Sequence, residues 1–332
     1  MVKIKPNKLN RIIYIFLTTS MILFLISNNY ILFQDYKKVT IDSSKDAINL
    51  RLNSLHVDLN NFPRTSVNDI AFLAEMTNTK DLFNKNTEIK NTDLLEFMKQ
   101  NTAYTQTILL DLKGNEILKI KNNNSNYIED SSKKENFSDK LFWQEIKNLY
   151  NEKIIISDII LEKNEYNEIP TLNYATSIFH KKEPIGYLVL KANANYFLNN
   201  IRYAQREGEK VFLIRKDGEY LANADIKKEF SLEKGISFYS DYPEVNKKQI
   251  LEEQPDFINL KNQLFSFKYI TISKGYFTEY SGEEDNLWIL ISVTDKTKLN
   301  FPNILDLIIY EIPACIILII LLVFTIYQRV KK

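Results

Sequence analysis

The chain has 332 residues, with 43 Lys and Arg against 42 Asp and Glu, a formal net charge of +1, and 45% of it is aliphatic or aromatic. The even charge speaks against nucleic-acid binding, which needs a basic excess on one face. The apolar share speaks for a folded chain. Gly numbers 7 where an average chain of this length carries roughly 23, so no Gly-rich phosphate loop is expected. One Cys excludes an intrachain disulfide and a Cys-based zinc site, and only His56 and His180 remain for metal or triad chemistry.

Residues 12–27 read IIYIFLTTSMILFLIS, and the apolar run continues to Phe33. About 20 mostly apolar residues cover the hydrocarbon core of a bilayer, so residues 12–33 are expected to span it. A secretory signal peptide is the competing reading, but the apolar core is long for one and no small-x-small site follows Ser27. A second expected span, residues 304–327, contains IPACIILIILLVFTIY and the lone Cys315. Lys3, Lys5, Lys8 and Arg11 precede the first span, and Arg329, Lys331 and Lys332 follow the second. Positive flanks stay cytoplasmic. Residues 1–11 and 328–332 are then cytoplasmic stubs of a two-pass protein of a bacterial inner membrane, and residues 34–302 lie outside.

The outer region begins with a helix over residues 34–62. Ile41, Ile48, Leu55 and Phe62 recur every seven residues, with Leu52 and Leu59 at the offset position. Such a stripe serves a dimer seam or packing on the chain's own domain; Leu50 and Val57 add a second apolar strip. Pro63 is expected to end or bend this helix, with further helices over 66–74 and 93–100. Strands follow. TILLDLKGNEILKI, residues 107–120, reads as a hairpin around Gly114, and VFLIRKDGEYLANAD, residues 211–225, as another around Gly218. Each precedes a strongly β-type strand, GYLVLKA from Gly186 and NLWILISV from Asn286. The shared order predicts two modules of similar build, each a mixed sheet with helices packed on it. Within the first, a helix is expected over 139–150, strands over 154–161 and 172–179, and a long exposed loop over 122–136. A helix over 196–206 links the modules.

This order resembles the double-Cache sensor domains of bacterial chemoreceptors, histidine kinases and diguanylate cyclases. TILLDLKGNEILKI is similar to that family's first hairpin, with Lys119 where Arg is common. NFSDKLFWQEI followed by KIIISDIIL is similar to its helix and strand with a Ser-Asp ending, and IPTLNYATSIF to the Pro-led strand after it. GYLVLKANANYFLNNI, FLIRKDGEYLANAD and LWILISV complete the match, which covers residues 35–300. The resemblance implies an α+β fold: a long N-terminal helix and two tandem PAS-like (Cache) modules flanked by the two transmembrane helices. The sensor would occupy residues 34–300: stalk and helices over 34–104, a membrane-distal module over 105–200, a membrane-proximal one over 205–300.

The resemblance also implies a small-molecule ligand in the distal module. Amino-acid-binding members carry a Tyr, an Arg-x-Trp-Tyr run and an Asp on the closing strand. Here those positions fall on Glu135, on Lys140 with Phe142 and Trp143, and on Lys191. An ammonium group would meet Lys191 in place of a carboxylate, which is repulsive, so an anion or carboxylate fits Lys140 and Lys191 better. The candidate ligand-binding residues are Lys140, Trp143, Ser157, Asp158, Tyr174, Thr176 and Lys191. Lys140 and Trp143 share a helical face, Ser157 and Asp158 are expected on opposite sides of a strand, and Tyr174 and Thr176 on one side of another. The acidic turn Glu283, Glu284 and Asp285 has no further metal ligands beside it in the sequence.

No GxSxG, HExxH or Walker loop occurs, so no catalytic site, cofactor or metal is expected. The family continues past its second span into an output region, whereas this sequence stops five residues after Tyr327. Either a partner carries the output, or the gene is truncated, or the stub is a remnant; the expected partners are a small molecule, the membrane, and an output-bearing signalling protein reached as a homodimer or heterodimer. An envelope adaptor that binds another protein is the first rival, favoured by a closed, apolar-filled first module. A periplasmic hydrolase is the second, favoured by carboxylates clustered with Ser or His.

Overall fold

The computed structural model describes residues 6–83, 92–123, 126–129, 134–139, 141–147, 154–163, 168–272, 286–299, 301, 316, 319, 320 and 323. The chain divides into two compact units, Met1–Ile48 with Lys296–Lys332, and Asn49–Asp295. In the first unit large apolar side chains stand exposed on the helix, among them Phe16, Ile22, Leu23, Phe24 and Ile26, as do Ile316, Ile319, Ile320 and Val323. Among the described residues no helix is long and apolar enough to cross a membrane. Most of residues 304–327 lie outside the described residues.

One helix, α1 (Pro6–Glu75), takes in both helices expected on either side of Pro63. Pro63 does not end it. A proline inside a helix forfeits one backbone hydrogen bond, here that to the Leu59 carbonyl, at about 3 kcal/mol. Leu59, Val67, Ile70 and Leu73 are buried around it, and each such side chain returns about 1.5–3 kcal/mol. In the second unit Leu52 and Leu59 of the predicted stripe are buried, while Leu50 and Val57 are exposed. The short helices α2 (Thr77–Asp81) and α3 (Thr92–Gln100) follow.

The first module's strands are β1 (Tyr104–Leu110), β2 (Glu116–Asn123), β3 (Asn126–Glu129), β4 (Ile154–Ile156), β5 (Ile160–Lys163), β6 (Glu168–His180) and β7 (Glu183–Asn193), with α4 (Leu141–Ile146) between β3 and β4. They form a sheet of order β3-β2-β1-β7-β6-β4, with β5 also on β6. Helix α5 (Asn195–Arg202) leads to the second module: β8 (Glu209–Arg215), β9 (Tyr220–Ala222), α6 (Phe238–Asp241), α7 (Lys247–Glu253), β10 (Phe257–Asn259), β11 (Gln263–Ile272) and β12 (Asn286–Asp295). Its sheet runs β10-β11-β12-β8-β9. Each closing strand, β7 or β12, lies beside the first strand of its module's hairpin, so the two modules repeat one topology. β3 and β5 have no counterpart in the second sheet.

Both hairpins form around their predicted glycines, Gly114 at φ +80 and Gly218 at φ +97. At the first, Asp111 Oδ1 accepts from Lys113 N and Asn115 N, each at 2.8 Å. Desolvation raises the Asp111 carboxyl, but the Asn115 side-chain and Lys113 and Asn115 backbone hydrogen bonds outweigh it and hold the group below its usual range.

Four expectations are corrected. The sheets are antiparallel throughout their described strand pairs rather than mixed. The expected loop over 122–136 contains β3, which pairs β2. The expected helix over 139–150 is described only as α4. The strand expected over 154–161 breaks at Ser157. Ile156 pairs with Tyr174 but Ile160 pairs with Thr171, so β4 and β5 together carry one residue more than the stretch of β6 they face. That is a bulge, and it turns side chains out of the sheet's alternation.

Candidate functional site

Directly paired residues on neighbouring strands stand on the same face, so the register of the first sheet places side chains in rows. Lys121, Gln106, Lys191 and Asn173 make one row across β2, β1, β7 and β6. Lys119, Ile108, Val189, Ala175 and Ile155 make the next. Leu110, Tyr187 and Ser177 make a third. The face is polar at one end and apolar at the other.

Helix α4 covers the apolar end. Trp143 and Ile146 pack there with Ile108, Leu110, Ala175, Tyr187 and Val189. The Trp143 indole meets the Tyr187 ring edge-on, centroids 5.3 Å apart. It also lies against the hairpin: a Cβ at Gly114 would come within 3.2 Å of it.

The polar end holds charges in neutralised positions. Lys191 Nζ stands 2.9 Å from both Glu162 carboxylate oxygens. In the next row Lys119, 8% exposed, lies 3.3 Å from Glu116 and 3.7 Å from Glu135. Asn173 is only 4% exposed. Its backbone N donates to Ser157 Oγ at 2.9 Å, its carbonyl accepts from Ser157 N at 2.8 Å, and its Nδ2 points to Glu162 at 3.5 Å. Asn173 Oδ1 is buried with no partner among the described residues. Leaving such an acceptor unpaired costs about 1–3 kcal/mol. This is a place where a ligand donor would be stabilising.

The second module's face offers a contrast in the same positions. On β6 the successive residues of this face are Asn173, Ala175 and Ser177; on β11, the strand in the equivalent place, they are Phe265, Phe267 and Tyr269, paired with Val293, Ile291 and Ile289. Phe212, Tyr220, Phe238, Phe265 and Phe267 fill that core, with Tyr239, Tyr242 and Tyr269 packed against it. Burial, helped by the nearby charge of Asp217, pushes the Tyr239 hydroxyl up to about 12. Small side chains thus lie along β6 in the first module, Ala175 among them packed against the Trp143 cluster, and large rings at the matching places in the second.

The residues singled out from the sequence separate into groups. Trp143 and Lys191 share the face just described, with Ser157 at its edge. Tyr174 and Thr176 point to the opposite face, because they alternate with Asn173 and Ala175 along β6. There the fully buried Tyr174 hydroxyl lies beside Ser66 with no hydrogen bond of good geometry. Nearby, Tyr104 donates to Asp69. Burial pushes both phenols far above their ordinary range, and the Asp69 contact adds to the effect at Tyr104. Lys140 lies outside the described residues, as does the acidic turn 283–285.

Asp158 sits elsewhere. Its Oδ2 lies 2.6 Å from Arg215 Nε on β8, and its Oδ1 accepts from Trp288 Nε1 on β12 at 2.9 Å. It therefore belongs to the junction with the second module. Asn173, Gln106 and Glu162 were not singled out from the sequence. Only strand pairing reveals that Asn173 and Gln106 flank Lys191, and only the bulge brings Glu162 to it.

No curated protein matches the sequence. Among solved structures, one described as the extracellular domain of a histidine kinase, vpHK1S-Z8, is 19% identical with a TM-score of 0.66, covering 78% of this chain and 98% of that one. A domain of a sensory box/GGDEF family protein from Vibrio parahaemolyticus is 18% identical with a TM-score of 0.63, covering 80% and 99%. The ligand-binding domain of the Pseudomonas aeruginosa amino acid chemoreceptor PctC, in complex with GABA, is 10% identical with a TM-score of 0.52, covering 75% and 99%. The model of the bacterial histidine kinase sensor domain matches residues 65–278. With its long first helix and two modules of one topology, the chain belongs to the bacterial histidine kinase sensor domain family and has the Cache-type fold of its structural neighbours.

Proposed function

We propose that the chain is an extracytoplasmic small-molecule sensor held in the bacterial inner membrane by residues 12–33 and 304–327. Its ligand carries a carboxylate and a hydrogen-bond donor, and it seats on the polar row of the first module, residues 105–200, the membrane-distal one. The carrying observation is Asn173, a buried amide whose Oδ1 has no partner among the described residues and which stands in one row with Lys191. A core with no ligand to hold gains nothing from that acceptor. The carboxylate joins Lys191, and the donor joins Asn173 Oδ1. GABA, which occupies the PctC domain, has both groups. The membrane reading draws on the uncharged run 12–27, on the exposed apolar side chains of α1, and on the basic flanks outside both spans.

The adaptor reading has one observation in its favour: Trp143 and its neighbours close the apolar end of the face. The ligand reading is preferred because the polar row carries Asn173 Oδ1, buried and without a partner among the described residues. As a sensor the chain signals through a homodimer or through pairing with an output-bearing protein. The test is a thermal unfolding screen of the full chain in detergent micelles against GABA, other amino acids and short carboxylates. A ligand present at about 100 times its Kd adds about 2.7 kcal/mol of stability, and that gain should vanish in Lys191→Met. A flat response to every compound would overturn the reading.

A further inference from the structure

The bulge between β4 and β5 ties the polar row of the first module to the sheet of the second, through side chains that leave it in opposite directions. Toward the row, Ser157 exchanges two hydrogen bonds with the backbone of Asn173, and Glu162 holds Lys191 through both carboxylate oxygens. Toward the second module, Asp158 Oδ2 lies 2.6 Å from Arg215 Nε. Asp158 Oδ1 accepts from Ile159 N at 2.7 Å and from Trp288 Nε1 at 2.9 Å. Arg215 also donates to the carbonyl of Ile159, which is fully buried, and pairs with Glu219.

The far side of this junction is buried and closely packed. Trp288 is fully buried and stacks on Phe197 of α5, centroids 6.1 Å apart. Phe197 in turn packs on Phe62 of α1 at 5.4 Å. Arg202, also on α5, makes a buried two-pronged pair with Glu229 at 2.8 and 2.7 Å. Residues 156–163 thus join groups lining the row to groups that hold the second sheet, α5 and α1.

We propose that residues 156–163 are the transmission element of the sensor and that Glu162 is its ligand-sensitive end. The inference rests on the ligand site proposed above. In the unliganded protein Glu162 neutralises Lys191. A ligand carboxylate that takes Lys191 competes with Glu162, and β5, an edge strand paired only to β6, loses that tether. Ile159 and Asp158 then reset their grip on Arg215 and Trp288. A ligand shifts an equilibrium only by its differential affinity for two states; here the states differ in whether Glu162 or the ligand occupies Lys191.

The chain has two tryptophans, one beside the row and one at the junction. Fluorine NMR of the full chain labelled with 5-fluorotryptophan therefore reads both places, with a Trp143→Phe sample used only to assign the signals. Glu162→Gln is expected to move the Trp288 resonance, in the direction that Arg215→Lys moves it. Glu162→Gln changes a partly exposed edge-strand residue; if it does not fold by circular dichroism, Lys191→Met breaks the same pair and is read in the same way. An unmoved Trp288 signal in the folded variant, with Arg215→Lys moving it, would overturn transmission. Adding GABA separates the two proposals. Shifts of both signals support transmission, whereas a shift of Trp143 alone overturns it and leaves the ligand site standing. The site itself is judged by thermal unfolding, without reference to Trp288.

Discussion

The two modules use one strand order to build two different interiors. In the first, the sheet face under α4 carries Asn173, Ala175 and Ser177 on β6 beside Lys191, Val189 and Tyr187 on β7. In the second, the matching face carries Phe265, Phe267 and Tyr269 beside Val293, Ile291 and Ile289. A module filled by rings is finished by its own side chains. A module with an amide, an alanine and a serine in those places relies on Trp143 and Ile146 of α4 to cover its alanine, and keeps a buried amide oxygen with no partner among the described residues. The contrast teaches that a repeated topology does not repeat an interior: side-chain size on one central strand decides which copy is filled by rings and which carries a buried amide.

This comparison can be broken most sharply by exchanging the side chains that define it. Phe267→Ala is expected to cost about 3–5 kcal/mol of stability, measured by urea unfolding, while the midpoint rise caused by ligand stays intact. A lost ligand response in the folded variant would mean that the second module takes part in binding. Ala175→Phe installs a second-module ring in the first. It should cost about 1–3 kcal/mol by overpacking and abolish the ligand response, a pair of effects that urea unfolding and thermal shift read separately. Retained binding would place the ligand elsewhere.

A smaller effect of opposite sign is expected at Asn173. Replacing it with Leu, of similar shape, removes the unpaired acceptor. The unliganded protein should be unchanged or more stable by about 1 kcal/mol, with ligand affinity lowered at least tenfold by calorimetry. A stability loss of several kcal/mol would show that Asn173 serves packing alone.

The smallest effect belongs to α1 where it meets β11. Desolvation and the nearby Lys268 hold the His56 imidazole below its ordinary value of 6.5, against a hydrogen bond to the Tyr269 backbone that raises it. The folded state therefore favours neutral His56. Its contribution is complete above pH 6.5 and is lost as pH falls from there toward the lowered folded value, because the unfolded chain takes up the proton first. His56→Gln should flatten that part of a Tm-against-pH curve slightly. An unchanged slope would remove His56 from the pH response.

Much of the fold was legible because it depends on local chemistry. Gly114 and Gly218 mark the hairpins since a positive φ costs glycine little, and β-branched and aromatic runs mark the closing strands. Pro63 does not end the helix because its cost is local, while the burial of Leu59, Val67, Ile70 and Leu73 that offsets it is set by tertiary packing. The site was legible only in part. Trp143 and Lys191, singled out by resemblance, stand on the face that carries Asn173, whereas Tyr174 and Thr176 stand on the opposite one.

The sequence by itself determined the order of elements, the hairpins, the two-module repeat and the apolar character of the chain's two ends. These follow from the preferences of neighbouring residues for turn, strand or helix. Only the tertiary structure decided which residues share a face, that Glu162 neutralises Lys191, that Asn173 Oδ1 has no partner among the described residues, and that Asp158 turns to Arg215 and Trp288. Strand register and a one-residue bulge settle all of these, and both are set by packing between segments far apart in the chain, where a shift of a single residue turns each side chain to the other face.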